Sequence, residues 1–108
     1  MLKEAKLALR VTVDAYDAEI MSILKAGEMD LRIAGVEVPG RVSWTESQVG
    51  AVTDTSTMDD QLVMRALLTY AAMRFGNPPN YERLLDAYET QKVQLMHATG
   101  YTQYGGGE

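Results

Sequence analysis

The chain has 108 residues, 46% of them apolar, with fifteen Asp+Glu against ten Lys+Arg and a formal charge of −5, which suits one domain with a core of its own. The acidic balance excludes a protein that grips nucleic acid by neutralising phosphates, because that needs a basic face. With no cysteine and a single histidine, His97, the chain has no disulfide, zinc ribbon or thiol chemistry and lacks most metal and triad arrangements.

Residues 1–10 predict a short helix with Leu2, Ala5 and Leu9 on one face. The same stretch alternates charged and apolar residues and so does not read as a signal peptide. No window nears 18 consecutive apolar residues, and the chain reads as soluble and intracellular. The β-branched run Val11-Thr12-Val13 breaks the helix. A second helix is expected from about Asp14 to Ala34, capped by Asp14 or Asp17. Its apolar stripe is Tyr16, Ile20, Ile23, Leu24, Gly27 and Leu31, with Glu28 and Arg32 as an outward four-residue ion pair. Gly35 is placed to end it in a left-handed conformation.

From Val36 to Ser56 the helical period stops. Val36, Val38, Val42 and Trp44 alternate with other residues around Pro39-Gly40, which predicts a hairpin or an extended arm turning at Pro-Gly. An excursion of about twenty residues is long for a compact helical domain, and such loops tend to be functional or disordered. A third helix is expected from Thr57 or Asp59 to Phe75, with Thr57 and Asp60 resembling a capping box. Leu62, Val63, Ala66, Leu67, Tyr70 and Met73 form its stripe. Gly76 and Asn77-Pro78-Pro79 stop it, so the fourth helix, Asn80 to about Ala98, should run antiparallel beside it. The fold expected is mainly α: a small bundle of about four helices with one long extended or hairpin excursion between the second and third. Residues 1–100 form the domain, with the excursion at 36–57. Residues 101–108 form a glycine-rich, flexible tail.

Little in the sequence suits an enzyme. There is no phosphate loop followed by a helix, no nucleophile elbow and no nucleophile for His97 to serve as base. Asp54, Asp59 and Asp60 form a loose acidic cluster without the glycine and distal glutamate of a calcium loop, and read as a solvated helix start. We expect no catalytic residue, no metal and no cofactor. Seven methionines are many for this length. Met21, Met29 and Met64 sit off the stripes or at their margins, where they either fill gaps or offer an adaptable protein contact. Trp44 either folds back over the core or anchors a partner, and Tyr101 and Tyr104 either dock elsewhere or lie on their own domain.

Three early runs, Lys6-Leu7-Ala8-Leu9-Arg10-Val11, Tyr16-Asp17-Ala18-Glu19-Ile20 and Asp30-Leu31-Arg32-Ile33-Ala34-Gly35-Val36, are followed by Arg65-Ala66-Leu67-Leu68-Thr69-Tyr70-Ala71. Then come Arg74-Phe75-Gly76-Asn77-Pro78 and Glu82-Arg83-Leu84-Leu85-Asp86-Ala87-Tyr88-Glu89. In this order the set resembles the small head–tail connectors of tailed phages, also called head-completion adaptors or DNA-packaging proteins. The similarity covers about 1–36 and 58–96 and is poor in the excursion. The resemblance implies a ring of identical subunits, usually twelve, beneath the portal protein in the virion neck, assembled in the host cytoplasm. Such a ring extends the DNA channel and receives a stopper or tail-completion protein. DNA passes through its lumen without specific binding, and no membrane is involved. By the same resemblance the tail, Tyr101, Thr102, Gln103 and Tyr104, reaches the portal. Val38, Arg41, Trp44 and Glu46 in the excursion are candidates to line the lumen or clamp a neighbour. A ring of about twelve such subunits carries a formal charge on the order of −60, and walls of that sign repel DNA phosphates. The competing reading is a small helical protein-binding or regulatory module that acts as a dimer.

Overall fold

In the computed structural model, which describes residues 1–98, the first stripe becomes α1 (Leu2–Leu9). It ends at Arg10, whose φ of 59° puts a non-glycine residue in the left-handed region. The Val11 N–H returns to the Lys6 carbonyl at 2.9 Å and the Arg10 N–H to Leu7 at 3.2 Å, which satisfies the last carbonyls of the helix. The second stripe becomes α2 (Asp17–Ile33). Gly35 closes it as expected, at φ 98°: its N–H bonds Arg32 and that of Val36 bonds Leu31, each at 3.0 Å. Neither Asp14 nor Asp17 caps α2 through its side chain. Both carboxylates instead hold Lys6 Nζ, each at 2.8 Å, and so tie α1 to the start of α2.

The excursion is ordered and forms a ribbon. β1 (Trp44–Glu46) pairs antiparallel with β2 (Val52–Asp54), with Thr45 opposite Thr53. Bonds from Thr55 N–H to Ser43 O and from Thr57 N–H to Arg41 O, both 2.9 Å, continue the pairing toward the helices. The expected turn at Pro39-Gly40 is not the tip of this hairpin. The tip is Gln48-Val49-Gly50, closed by Ser47 N–H to Ala51 O and Gly50 N–H to Ser47 O. Gly50, at φ 85°, takes the left-handed place that a three-residue hairpin loop requires. Pro39-Gly40 instead makes a tight bend at the base of the ribbon, with the Gly40 N–H on Val38 O.

Next come α3 (Gln61–Arg74) and α4 (Tyr81–His97). The expected Thr57–Asp60 capping box does not form. Asp60 itself is the cap, its Oδ1 accepting from the N–H groups of Leu62 and Val63 at 3.0 Å each. Thr57 belongs to the ribbon, where its Oγ1 accepts from the Arg41 N–H. The mainly α expectation holds, and α3 is the central helix, packed on each of the other three. Leu24 and Leu31 of α2, Val63 and Leu67 of α3 and Tyr88 of α4 are fully buried or nearly so, and Val36, Val38 and Val42 from the excursion and Met58 just after it join them. Burying each such side chain contributes roughly 1.5–3 kcal/mol. Met21, expected at a margin, is fully buried in this core. α2 is covered by α1, by α3 and by the ribbon base, so its buried arc is wider than one stripe.

At Gly27 the Tyr70 and Leu67 side chains of α3 press against the α2 backbone. A Cβ there would lie 2.9 Å from the Tyr70 ring and 3.1 Å from Leu67. Tyr70 in turn packs edge-on to Tyr88, and the Arg74 guanidinium lies over its face.

Candidate functional site

Glu28 joins the helical bundle to the ribbon. It was expected on the outside of α2, yet it is 2% exposed. The cause is the ribbon base, which folds over this turn of the helix. Glu28 Oε1 accepts from the Val42 N–H at 2.7 Å and from Lys25 Nζ at 3.1 Å, and Oε2 accepts from Arg32 Nε at 2.8 Å. Arg32 Nη2 continues to the Gly40 carbonyl at 2.8 Å. Burial pushes the Glu28 carboxyl up, but the Val42 N–H, Arg32 and Lys25 outweigh it and hold the group below its ordinary range.

Asp54 fixes the other side of the ribbon. Its Oδ2 accepts from the Met1 ammonium at 2.7 Å and from the Leu2 N–H at 2.8 Å, and its Oδ1 from the Ser56 N–H at 2.9 Å. The carboxylate thus sits at the positive end of α1, where the helix dipole favours it. Burial raises its pKa, but the ammonium, Ser56 and Leu2 bonds overcome that and hold it far below the usual carboxylate range. A carboxyl depressed in the folded state stabilises above its unfolded value near 4, and that contribution is lost as pH falls. Urea midpoints followed from pH 6 to pH 2.5 should therefore drop less steeply in Asp54→Asn than in the parent. At pH 6 the variant should be about 1 kcal/mol less stable, a modest figure because solvent screens the site. Parallel curves would show that Asp54 does not drive the acid limb.

Between α2 and α4, Tyr88 donates its hydroxyl to Asp30 Oδ2 at 2.5 Å, and Lys92 Nζ lies 3.3 Å from the same oxygen. Burial, then Asp30, pushes the Tyr88 hydroxyl up, so it stays protonated as a donor. These three networks are structural locks. Among the described residues no group of three His, Cys, Asp or Glu side chains could hold a metal ion. Of the expected acidic cluster, Asp54 serves α1 and Asp60 caps α3, while Asp59 is exposed. His97 is exposed in the last turn of α4.

The family model described as phage connector protein matches residues 1–102. The chain belongs to this family. No curated protein and no solved structure matches it. The connector's role is structural, at the junction of phage head and tail, and its partners are other virion structural proteins. Among the described residues no helix is long and apolar enough to cross a membrane.

The ribbon residues singled out from the sequence separate into two kinds. Val38 is 5% exposed and lies in the connector's own core, and Trp44 is half-buried against that core. Arg41 and Glu46 are exposed. Tyr101, Thr102, Gln103 and Tyr104 lie outside the described residues. Met29 is 45% exposed, whereas Met64 packs partly against the core. Sequence reasoning missed Glu28 and Asp54 as the anchors of the ribbon. The available signal was a glutamate beside the apolar stripe of its helix, with cations three residues before and four after it, Lys25 and Arg32.

Proposed function

We propose that this connector is the subunit of a ring, of about twelve copies, that seats beneath the portal, extends the DNA channel and receives a stopper or tail-completion protein. The match of nearly the whole chain to the phage connector model carries this reading. Two features of the molecule support it. Its net charge of −5 per subunit gives a ring a strongly negative wall, which keeps passing DNA from adhering. Its ribbon is tied to the bundle through Glu28 and Asp54 while presenting Arg41 and Glu46 to solvent, so a lumen-facing or neighbour-facing ribbon would be held stiffly. The segment Tyr101–Tyr104 is proposed as the portal contact. Subunits meet in the cytoplasm of the infected host, and the finished ring resides in the virion neck.

Light scattering on the purified subunit, with and without purified portal, tests this reading. Portal should convert subunit into a complex whose added mass is about twelve subunits, and removing residues 101–108 should weaken capture at least tenfold. A stable dimer indifferent to portal would overturn the ring and favour a dimeric binding module.

A further inference from the structure

The solvent side of α2 carries a second apolar line. Ala26, Met29 and Ile33 recur at steps of three and four and so share one face. All three are exposed, Ile33 at 82% and Met29 at 45%. Among the described residues nothing covers this face. A different apolar surface lies on α1, where Leu7 is 71% exposed and forms a shallow groove with the half-buried Leu2 and Val11. The groove is rimmed by Lys3, Lys6 and Asp54, and Asp54 is already held by the Met1 ammonium and the Leu2 N–H. Lys6 is committed to Asp14 and Asp17, whereas Lys3 makes no ion pair among the described residues. Glu37, exposed four residues beyond Ile33, likewise makes none.

We propose that a second copy of this chain docks the Ala26–Met29–Ile33 face of its α2 on the Leu2–Leu7–Val11 groove of the first, with Glu37 of one copy paired to Lys3 of the other. The two faces do not overlap. α1 meets α2 at its start, through Lys6 and Asp17, and Ile33 lies about 24 Å further along the helix axis at 1.5 Å per residue. Each copy can therefore use both faces at once, which makes the contact head-to-tail. A two-fold pairing of α2 on α2 would leave the Leu7 groove uncovered and Lys3 without its acid. The head-to-tail contact covers both apolar faces and joins Lys3 to Glu37. The contact is small, so isolated copies are expected to associate weakly. Three side chains on each side fall well short of the roughly 800 Å² per partner of a standard stable interface, so copies join firmly only when held side by side. The pairwise contact stands on these surfaces, and its closure into a ring rests on the function proposed above.

The chain has no cysteine, so engineered pairs report unambiguously. The full-length double variant Leu7→Cys with Ile33→Cys should, on oxidation at high protein concentration, give a non-reducing ladder of dimers, trimers and larger multiples, stronger with portal present. Either single variant should give none. In that background, Lys3→Glu or Glu37→Lys alone should weaken the ladder at least fivefold, and the two together should restore it. Efficient dimers from Ile33→Cys alone would overturn the proposal in favour of two-fold pairing. Absence of a ladder, with both thiols reactive and native circular dichroism, would also overturn it. Rings that form on portal without the Leu7–Ile33 link would reject this contact and keep the ring. A ladder that portal does not enhance would support the contact and count against the portal-bound ring.

Discussion

Glu28→Ala should lower the unfolding free energy by about 3 kcal/mol and release the ribbon base before the helices melt. Removing the carboxylate leaves the Val42 N–H without a partner in a buried place, which costs about 1–3 kcal/mol. It also leaves Arg32 and Lys25 without their acid and opens space beside Val42, in the range expected when one member of a buried charged pair is deleted. Arg32 then holds the Gly40 carbonyl with no carboxylate to orient it. Glu28→Gln should lose about half as much, because its side-chain oxygen still accepts from Val42 while the charge is gone. Urea unfolding followed by circular dichroism gives the magnitude. Amide exchange at Val42 and Ser43, against Leu67 as reference, gives the location. Equal loss of protection at all three would mean that Glu28 stabilises the whole domain and does not specifically anchor the ribbon. The pH dependence has the same sign as for Asp54. The Glu28 carboxyl is held low in the folded state, so its contribution is present above its unfolded value near 4.5 and fades as pH falls.

The helices were legible because their signals are local. Stripes at three- and four-residue spacing placed all four, and Gly35 and the Gly76–Pro79 stretch marked two of their ends. Their beginnings were harder, since an aspartate near a helix start can cap it or pair with a distant cation. Asp60 caps, whereas Asp14 and Asp17 went to Lys6. The ribbon was half legible. Alternation gave the burial of Val36, Val38 and Val42, but Pro39-Gly40 was the louder turn signal and the tip formed at Gly50. What the sequence could not show was which polar residue the ribbon would cover. Glu28 reads as an ordinary surface glutamate until Val42, fourteen residues on, is laid over it. The surfaces that meet other virion proteins are harder still, because Met29 and Met21 look alike in the sequence and only packing separates the exposed one from the buried one.

Gly27→Leu should cost at least 4 kcal/mol, enough to unfold much of a domain whose total stability is of the ordinary 5–15 kcal/mol. Even the first added carbon has no room. At 2.9 Å from the Tyr70 ring and 3.1 Å from Leu67, it must push α2 and α3 apart or turn the ring. The ring is not free to turn, since it is wedged edge-on against Tyr88, which is itself fixed by its bond to Asp30. Gly27→Ala therefore sets two effects against each other. Alanine gains about 1 kcal/mol of helix propensity, and overpacking costs about 1–3 kcal/mol. The net should be a loss of about 1 kcal/mol, and Gly27→Ala combined with Tyr70→Leu should recover most of it by removing the ring edge. Ala87→Leu, on the exposed side of α4, is the matching control and should change stability by less than about 0.5 kcal/mol. Thermal and urea unfolding of the four variants decide the point. A Gly27→Leu protein as stable as the parent would mean that α2 and α3 can separate without loss, and that this close contact does not hold the bundle together.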